Sequence, residues 1–454
     1  MSTPRRFARV RWLAPLALIA AGTTVACTAE PGDASAGESN VEALTAYDPV
    51  NDLDVSLGEN LWPNEQNDIK ATSEIIQTFI KRRAKEARAD VDGKKGRFLR
   101  DAHAKRHGCV KGELSVRGDI PDDLKVGVFQ KARIFKTWQR YSNGNSEIRS
   151  DWKTDARGMA IKLTNVEGSK LVPEYPEQST QDFVMINHPV FFVDNPVKYA
   201  QTLAIFHSGL GFGLETIGQA LSLNKLCSKD EPGGGILPLC DTAKLALAVN
   251  GTHIKNPVKE PYWSMASFRL GHKAVKFAAI PVACGSASAF PSDLAGQQKF
   301  IADAQNKNEA ALIPIPLPER DSLREAMVKT LQTDKQDACF LFVLQRFIDQ
   351  TKTPTEKATV NWDLVAPMIP VADLHIPAQT FTNEKQDTGQ DQFCDDMAFT
   401  PWHALPEHKP LGVVNRTRFV VYSATAKLRR EGNYPGAQPP KGSALTGPTG
   451  EESF

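Results

Sequence analysis

Along residues 156–166, ARGMAIKLTNV, the apolar Met159, Ile161 and Leu163 alternate with Ala160 and Lys162. A two-residue period predicts a strand with one buried face. AVKFAAIPV (274–282) and CFLFVLQRFI (339–348) are more continuously apolar and also predict strands. By contrast, SEIIQTFIKRRAKEARADV (73–91) places its apolar residues at helical intervals. DSLREAMVKTLQ (321–332) has Ser322 followed three residues later by Glu325, a capping box that predicts a helix start. Near the end, NRTRFVVYSATAKLRR (415–430) surrounds Tyr422 with Arg418, Lys427 and Arg429. Taken alone, it predicts an exposed basic helix with a tyrosine packed on it. Strands and helices come in clusters rather than in strict alternation. That order predicts an α+β fold around an antiparallel sheet, not a doubly wound parallel one.

The chain has 454 residues, 41% hydrophobic and 24% charged, with a formal charge of +1. These are values of a folded globular chain and give no basic surface for nucleic acid. The first 26 residues carry four arginines, no acid, and the apolar run WLAPLALIAAGTTVA. That is the pattern of an export signal, and the apolar run is short for a membrane span. TVAC, ending at Cys27, resembles a bacterial lipobox, so Cys27 is the expected lipid anchor; plain secretion and an uncleaved anchor are the alternatives. Removing residues 1–26 takes away those four arginines, and the formal charge becomes −3. Six further cysteines, an even number, permit disulfides in an exported protein, with Cys227 and Cys240 as the first pair to consider. The composition predicts a signal peptide over 1–26, a flexible tether over 27–65, one globular domain over 66–432 and a disordered Pro/Gly/Ser-rich tail over 433–454.

Most chemical motifs fail. There is no GxSxG, no Walker A sequence, no HExxH and no CxxC. His403 and His408 stand in a Pro-rich stretch and are read as surface histidines rather than metal ligands. Five other stretches, in this order, resemble one family. RDAHAK (100–105) is similar to the distal motif of haem catalases, in which an arginine precedes the catalytic histidine by three. QRYSNG (139–144) is similar to their Arg-aromatic-Ser strand, and DARGMAIKL (155–163) to Asp-Pro-Arg-Gly-Phe-Ala-x-Lys-Phe. INHPVFFV (186–193) is similar to Asn-Asn-Thr-Pro-x-Phe-Phe. Arg418 and Tyr422 match the proximal Arg-x-x-x-Tyr. The resemblance spans roughly residues 70–430.

The resemblance implies a catalase-like core, an antiparallel β-barrel with surrounding helices, and a haem, of b type. Tyrosine is the haem-iron ligand of catalases, and Tyr422 takes that place. A phenol has an ordinary pKa of about 10, so iron and a nearby guanidinium are what would favour its anionic form. Arg418, one turn earlier, lies on the same helix face and is expected to reach it. Arg100, Arg140 and Arg429 are the implied partners of the two haem propionates, since a guanidinium matches a carboxylate. His103 is the implied general acid–base, with His107 as its competitor; Ser142 would hold its ring, Asn187 would donate to the bound peroxide, and Phe191 would line the haem pocket. The implied reaction is decomposition of hydrogen peroxide to water and oxygen through a ferryl intermediate. A peroxidase or fatty-acid hydroperoxide enzyme on the same scaffold, and a non-catalytic haem-binding lipoprotein, are the alternatives.

Several positions depart from the family pattern. Ala102 precedes His103 where valine is usual, and His188 replaces the threonine of the Asn-Asn-Thr-Pro motif. About thirty residues follow Tyr422, so a short form without the family's C-terminal helical domain is expected. The family's nicotinamide site is in doubt for that reason, and homo-oligomerisation stays open.

Overall fold

The computed structural model describes residues 47–86, 98–173, 179–199, 240–286, 289–311, 321–382, 394–395 and 397–433. The expected leader, Cys27, Cys227 of the expected Cys227–Cys240 pair and the tail after Asn433 lie outside these residues. Among the described residues there are nine antiparallel strands: β1 (Arg106–Val116), β2 (Ile134–Asn143), β3 (Arg157–Leu163), β4 (Gln181–Ile186), β5 (Tyr262–Trp263), β6 (Phe268–Leu270), β7 (Lys273–Val282), β8 (Ala338–Arg346) and β9 (Met368–Ile376). Their order is β5-β4-β3-β2-β1-β9-β8-β7, and β5 pairs back onto β7. Eight strands therefore close into a barrel, with β6 as a hairpin partner of β7. Closure removes the unpaired edges that would otherwise need protection. The expectation of an α+β fold with an antiparallel barrel holds.

The two-residue period divides each strand between two environments. Met159 and Ile161 of β3, Phe183 of β4, Phe277 of β7 and Phe342 of β8 belong to the large buried cluster within the barrel. The Phe183 ring lies 4.8 Å from Phe342 and 5.0 Å from Phe277, centroid to centroid. On β7 and β8 the intervening residues are buried as well. Ala278, Ile280, Leu341 and Val343 pack with Trp263 and Ile301, the last on α3 (Leu294–Asn308). Burial on both faces is why these two segments lack clean alternation in the sequence.

Two helices bear on the site and are numbered here with their neighbours: α1 (Glu65–Glu86), α2 (Cys240–Asn250), α4 (Ser322–Val328) and α5 (Val413–Asn433). The predicted helix over 73–91 begins earlier, at Glu65. Its first turn is polar and carries no apolar signal, but the Glu65 carboxylate accepts from the Trp62 backbone N–H at 3.0 Å and stabilises the start. On α4 the expected cap is displaced. Asp321 is the N-cap, Ser322 is already helical, and no side chain caps the helix. The Asp321 carboxylate instead pairs with Lys105 at 2.7 Å.

The basic helix α5 is not exposed: Arg416, Arg418 and Arg429 are all buried. Arg416 donates from Nε to Glu65 at 2.6 Å and from Nη1 to Glu59 and Glu356 at 2.7 and 2.9 Å. The same carboxylates satisfy the helix start. Glu59 accepts from Gly412 N at 2.7 Å, and Glu356 accepts from Val413 N at 2.8 Å. The expected tether through residue 65 is corrected by this cluster. Residues 47–65 pack on the domain, with Glu59 buried and the Tyr47 ring 5.8 Å from those of Trp402 and Phe419. Disulfides join Cys109 to Cys394 and Cys284 to Cys339. Among the described residues no helix is long and apolar enough to cross a membrane.

Removing one partner of a buried ion cluster leaves uncompensated charge, at a cost of roughly 3–5 kcal/mol. Arg416→Met should therefore lower unfolding stability by about that amount, read as a fall in the urea midpoint.

Candidate active site

The barrel face opposite the aromatic core is set by register. Ser142 of β2, Gly158 of β3 and Ile186 of β4 stand side by side, and Arg140, Ala160 and Val184 form the next row. All six line one cavity, together with Arg418, Tyr422 and Arg429 of α5. The cavity offers about 280 Å³ to the centre of a water-sized sphere. Glycine and alanine at the middle of both rows keep the strand surface low. A Cβ at Gly158 would stand 2.6 Å from His103 Nδ1 and 2.9 Å from Ser142 Oγ, so the histidine ring occupies space that only glycine leaves open.

His103 is held from several sides. Its backbone is left-handed, with φ of 67°, a sparsely populated state for a residue with a side chain. Its N–H donates to the Gly144 carbonyl at 3.2 Å, and its own carbonyl accepts from Arg140 at 3.0 Å. Ring Nδ1 lies 2.8 Å from the Asn143 carbonyl and 3.1 Å from Ser142 Oγ. A carbonyl only accepts, so Nδ1 carries the proton and Nε2 keeps the lone pair. Burial, then the positive charge of Arg140, and further that of Arg418 and Arg100, push the His103 pKa down to about 4. The imidazole is neutral at ordinary pH. His107, the competitor, is fully buried and gives Nε2 to Asn143 Oδ1 at 2.7 Å. It supports the strand end beneath His103 and does not line the cavity.

Of the nine site residues expected from the sequence, eight line this cavity: Arg100, His103, Arg140, Ser142, Phe191, Arg418, Tyr422 and Arg429. Asn187 is the exception. It is fully buried, its Oδ1 accepts from Arg157 N at 2.6 Å, and its Nδ2 donates to Thr252 and Glu260, both at 3.1 Å. The cause is the strand period: Val184 and Ile186 face the cavity, so Asn187 faces away. The proposed amide donor to peroxide is thus withdrawn, and an isoleucine holds the adjacent cavity position. The expected Arg418–Tyr422 contact is also not made. Arg418 donates to Asn415 Oδ1 at 3.0 Å and lies 5.7 Å over the Phe191 ring. His403 and His408 are buried rather than on the surface. His403 Nδ1 is 2.8 Å from Asp182, and His408 Nε2 accepts from Val128 N at 2.9 Å.

Asp395, which no sequence motif indicated, is the centre of the arginine group. It pairs with Arg106, with Arg100 at 3.5 Å and with Arg140 at 3.6 Å, while its backbone carbonyl accepts from Arg429 at 2.8 Å. These guanidiniums hold its carboxyl far below the usual range despite burial. Burial and the charges of Arg100 and Arg106 depress the Arg140 pKa, and its Nε has no hydrogen-bond partner among the described residues.

Haem, the group the resemblance implies, is flat and bears two carboxylates. The residues fit it on three counts. Gly158 and Ala160 leave a low strand surface under α5, the buried Arg140 keeps an Nε with no hydrogen-bond partner among the described residues, and Tyr422 offers a phenol on the helix face that lines the same cavity.

The chain was compared with known proteins. No family model matches the chain. Over 104 residues it is 32% identical to proteins named catalase easC from Arthroderma benhamiae, Trichophyton verrucosum and Arthroderma otae. The match takes in 22% of this chain and only 19% of each relative. Among solved structures it is similar to a fungal catalase, with a TM-score of 0.48 and 14% identity over 74% of this chain and 60% of that one. A bacterial catalase gives 0.42 and 15% over 75% and 60%, and catalase A of Saccharomyces cerevisiae gives 0.46 and 15% over 73% and 60%. All of these carry the name of the family that the sequence motifs resemble.

The positive field sets a testable value. His103 should titrate near pH 4 when followed by NMR of its ring protons. Arg140→Gln removes a charge that disfavours the imidazolium, so the titration should move upward; an unchanged or lower value contradicts this account of the field.

Proposed function

We propose that this protein is a haem-dependent oxidoreductase that cleaves the O–O bond of a peroxide. The observation that carries the reading is one cavity lined by a neutral buried histidine, a tyrosine on a facing helix and three arginines, Arg100, Arg140 and Arg429. When bound, haem supplies the redox-active iron. Tyr422 Oη would be its protein ligand, and Arg100, Arg140 and Arg429 would receive its carboxylates. His103 Nε2 is free to take the proton of an entering peroxide and to return it to the departing oxygen. Ser142 and the Asn143 carbonyl fix the tautomer in which Nε2 can do so. Burial, then the charges of Arg140, Arg418 and Arg100, keep the imidazole uncharged and ready to accept. Hydrogen peroxide is the smallest substrate consistent with this arrangement. The charged, apolar and small-residue pattern of residues 1–26 supports export, with lipid attachment at Cys27.

The test uses the full mature chain titrated with haemin. The expected results are a one-to-one complex and, for Tyr422→Phe, an altered visible spectrum with weaker retention. His103→Gln should load haem as the parent does while peroxide consumption falls roughly 10²–10⁴-fold, the usual size of a general acid–base effect. A His103 variant with parental turnover, or a Tyr422 variant with an unchanged spectrum, overturns the reading.

A further inference from the structure

The cavity wall beside His103 has a polarity that the reaction class alone does not explain. Ser142, Gly158 and Ile186 form one row across β2, β3 and β4, and the His103 ring lies against the first two. Neighbouring strands are about 4.8 Å apart, so the side chain next to the base on its open side is that of Ile186. Ile186 is buried and packs with Phe191 and Met265, which also line the cavity. Val184 continues the same face. The nearby amide, Asn187, is turned into the barrel and saturated by Arg157, Thr252 and Glu260. A peroxide bound at His103 therefore meets a polar group on one side and a branched hydrocarbon on the other.

Hydrogen peroxide has a second hydroxyl that needs hydrogen bonds, and placing it against Ile186 leaves that group unpaired in a buried site. A hydroperoxide with a carbon substituent has one O–H to give to His103 and a hydrocarbon to bury. We propose that Ile186 is a specificity-determining residue and that the preferred substrate is an organic hydroperoxide whose apolar chain lies on Ile186, Phe191 and Met265. The inference rests on the haem–peroxide reading above. Proton transfer stays as described: the hydroperoxide O–H bond breaks, an N–H bond forms at His103 Nε2, and the negative charge remains on the peroxide oxygen.

The experiment uses the haem-loaded protein with cumene hydroperoxide and hydrogen peroxide as substrates. Cumyl alcohol, which lacks the O–O bond and cannot react, serves as an equilibrium ligand measured by calorimetry. The parent should consume cumene hydroperoxide with the higher kcat/KM and bind the alcohol. Ile186→Asn should weaken alcohol binding about tenfold and shift the kcat/KM ratio toward hydrogen peroxide by 10-fold or more, the scale expected for polarity matching in a pocket. Ile186→Ala, which stays apolar, should weaken the alcohol without improving hydrogen peroxide. If haem binds and His103-dependent turnover is present, but alcohol affinity and substrate ratio are the same in all three proteins, the Ile186 assignment is wrong. If haem fails to bind or His103 is dispensable, it is the preceding reading that falls.

Discussion

The buried contact between Arg416 and three glutamates decides where everything on α5 stands. A guanidinium with its planar fork can satisfy several carboxylates at once, and Glu59, Glu65 and Glu356 take up Nε, Nη1 and Nη2 between them. Burial pushes the Glu356 carboxyl up, and Arg416 opposes that push. Two of these carboxylates also accept the N–H groups of Gly412 and Val413, where the helix dipole is positive. The N-terminal segment, the loop containing Glu356 and the start of α5 are thereby fixed at one point. From that point the helix rises 1.5 Å per residue, and Arg418, Tyr422 and Arg429 reach the cavity, the second about one turn after the first and the third about two turns after the second.

A second constraint comes from the strands. On β2, β3 and β4 the two-residue period serves two purposes. One set of positions, Tyr141, Met159, Ile161, Phe183 and Met185, builds the aromatic and aliphatic interior. The other, Arg140, Ser142, Gly158, Ala160, Val184 and Ile186, makes the cavity floor. Neither set can shift without the other, because a slip by one residue would send arginine into the barrel and phenylalanine into the cavity. The site is therefore held as firmly as the core itself, which suits a base that must keep one tautomer and one position.

What was legible in the sequence follows from which interactions are local. The alternation of 156–166 located β3, and the family motifs located eight cavity residues because each motif is a short stretch on one element. The error at Asn187 was also local. Counting by two from Val184 places Ile186, not Asn187, on the cavity face, and that count was available from the chain alone. Asp395 was not legible. Its partners Arg100, Arg106 and Arg140 lie more than 250 positions away, and the Cys109–Cys394 disulfide that brings its neighbour to β1 closes 285 residues. The burial of α5 was hidden for the same reason. Its basic residues look solvated until the distant glutamates are in place.

The charge arrangement links these parts. Arg140 is buried beside Arg100 and Arg106, and its depressed pKa reflects the cost of that placement. The same field reaches His103 and holds it neutral. An anion seated at the arginines would weaken that field, so the base would become easier to protonate as the carboxylates of a cofactor arrive. Anion binding at the arginines and proton affinity at His103 would thus be coupled through Arg140, which donates to the His103 carbonyl and pairs with Asp395.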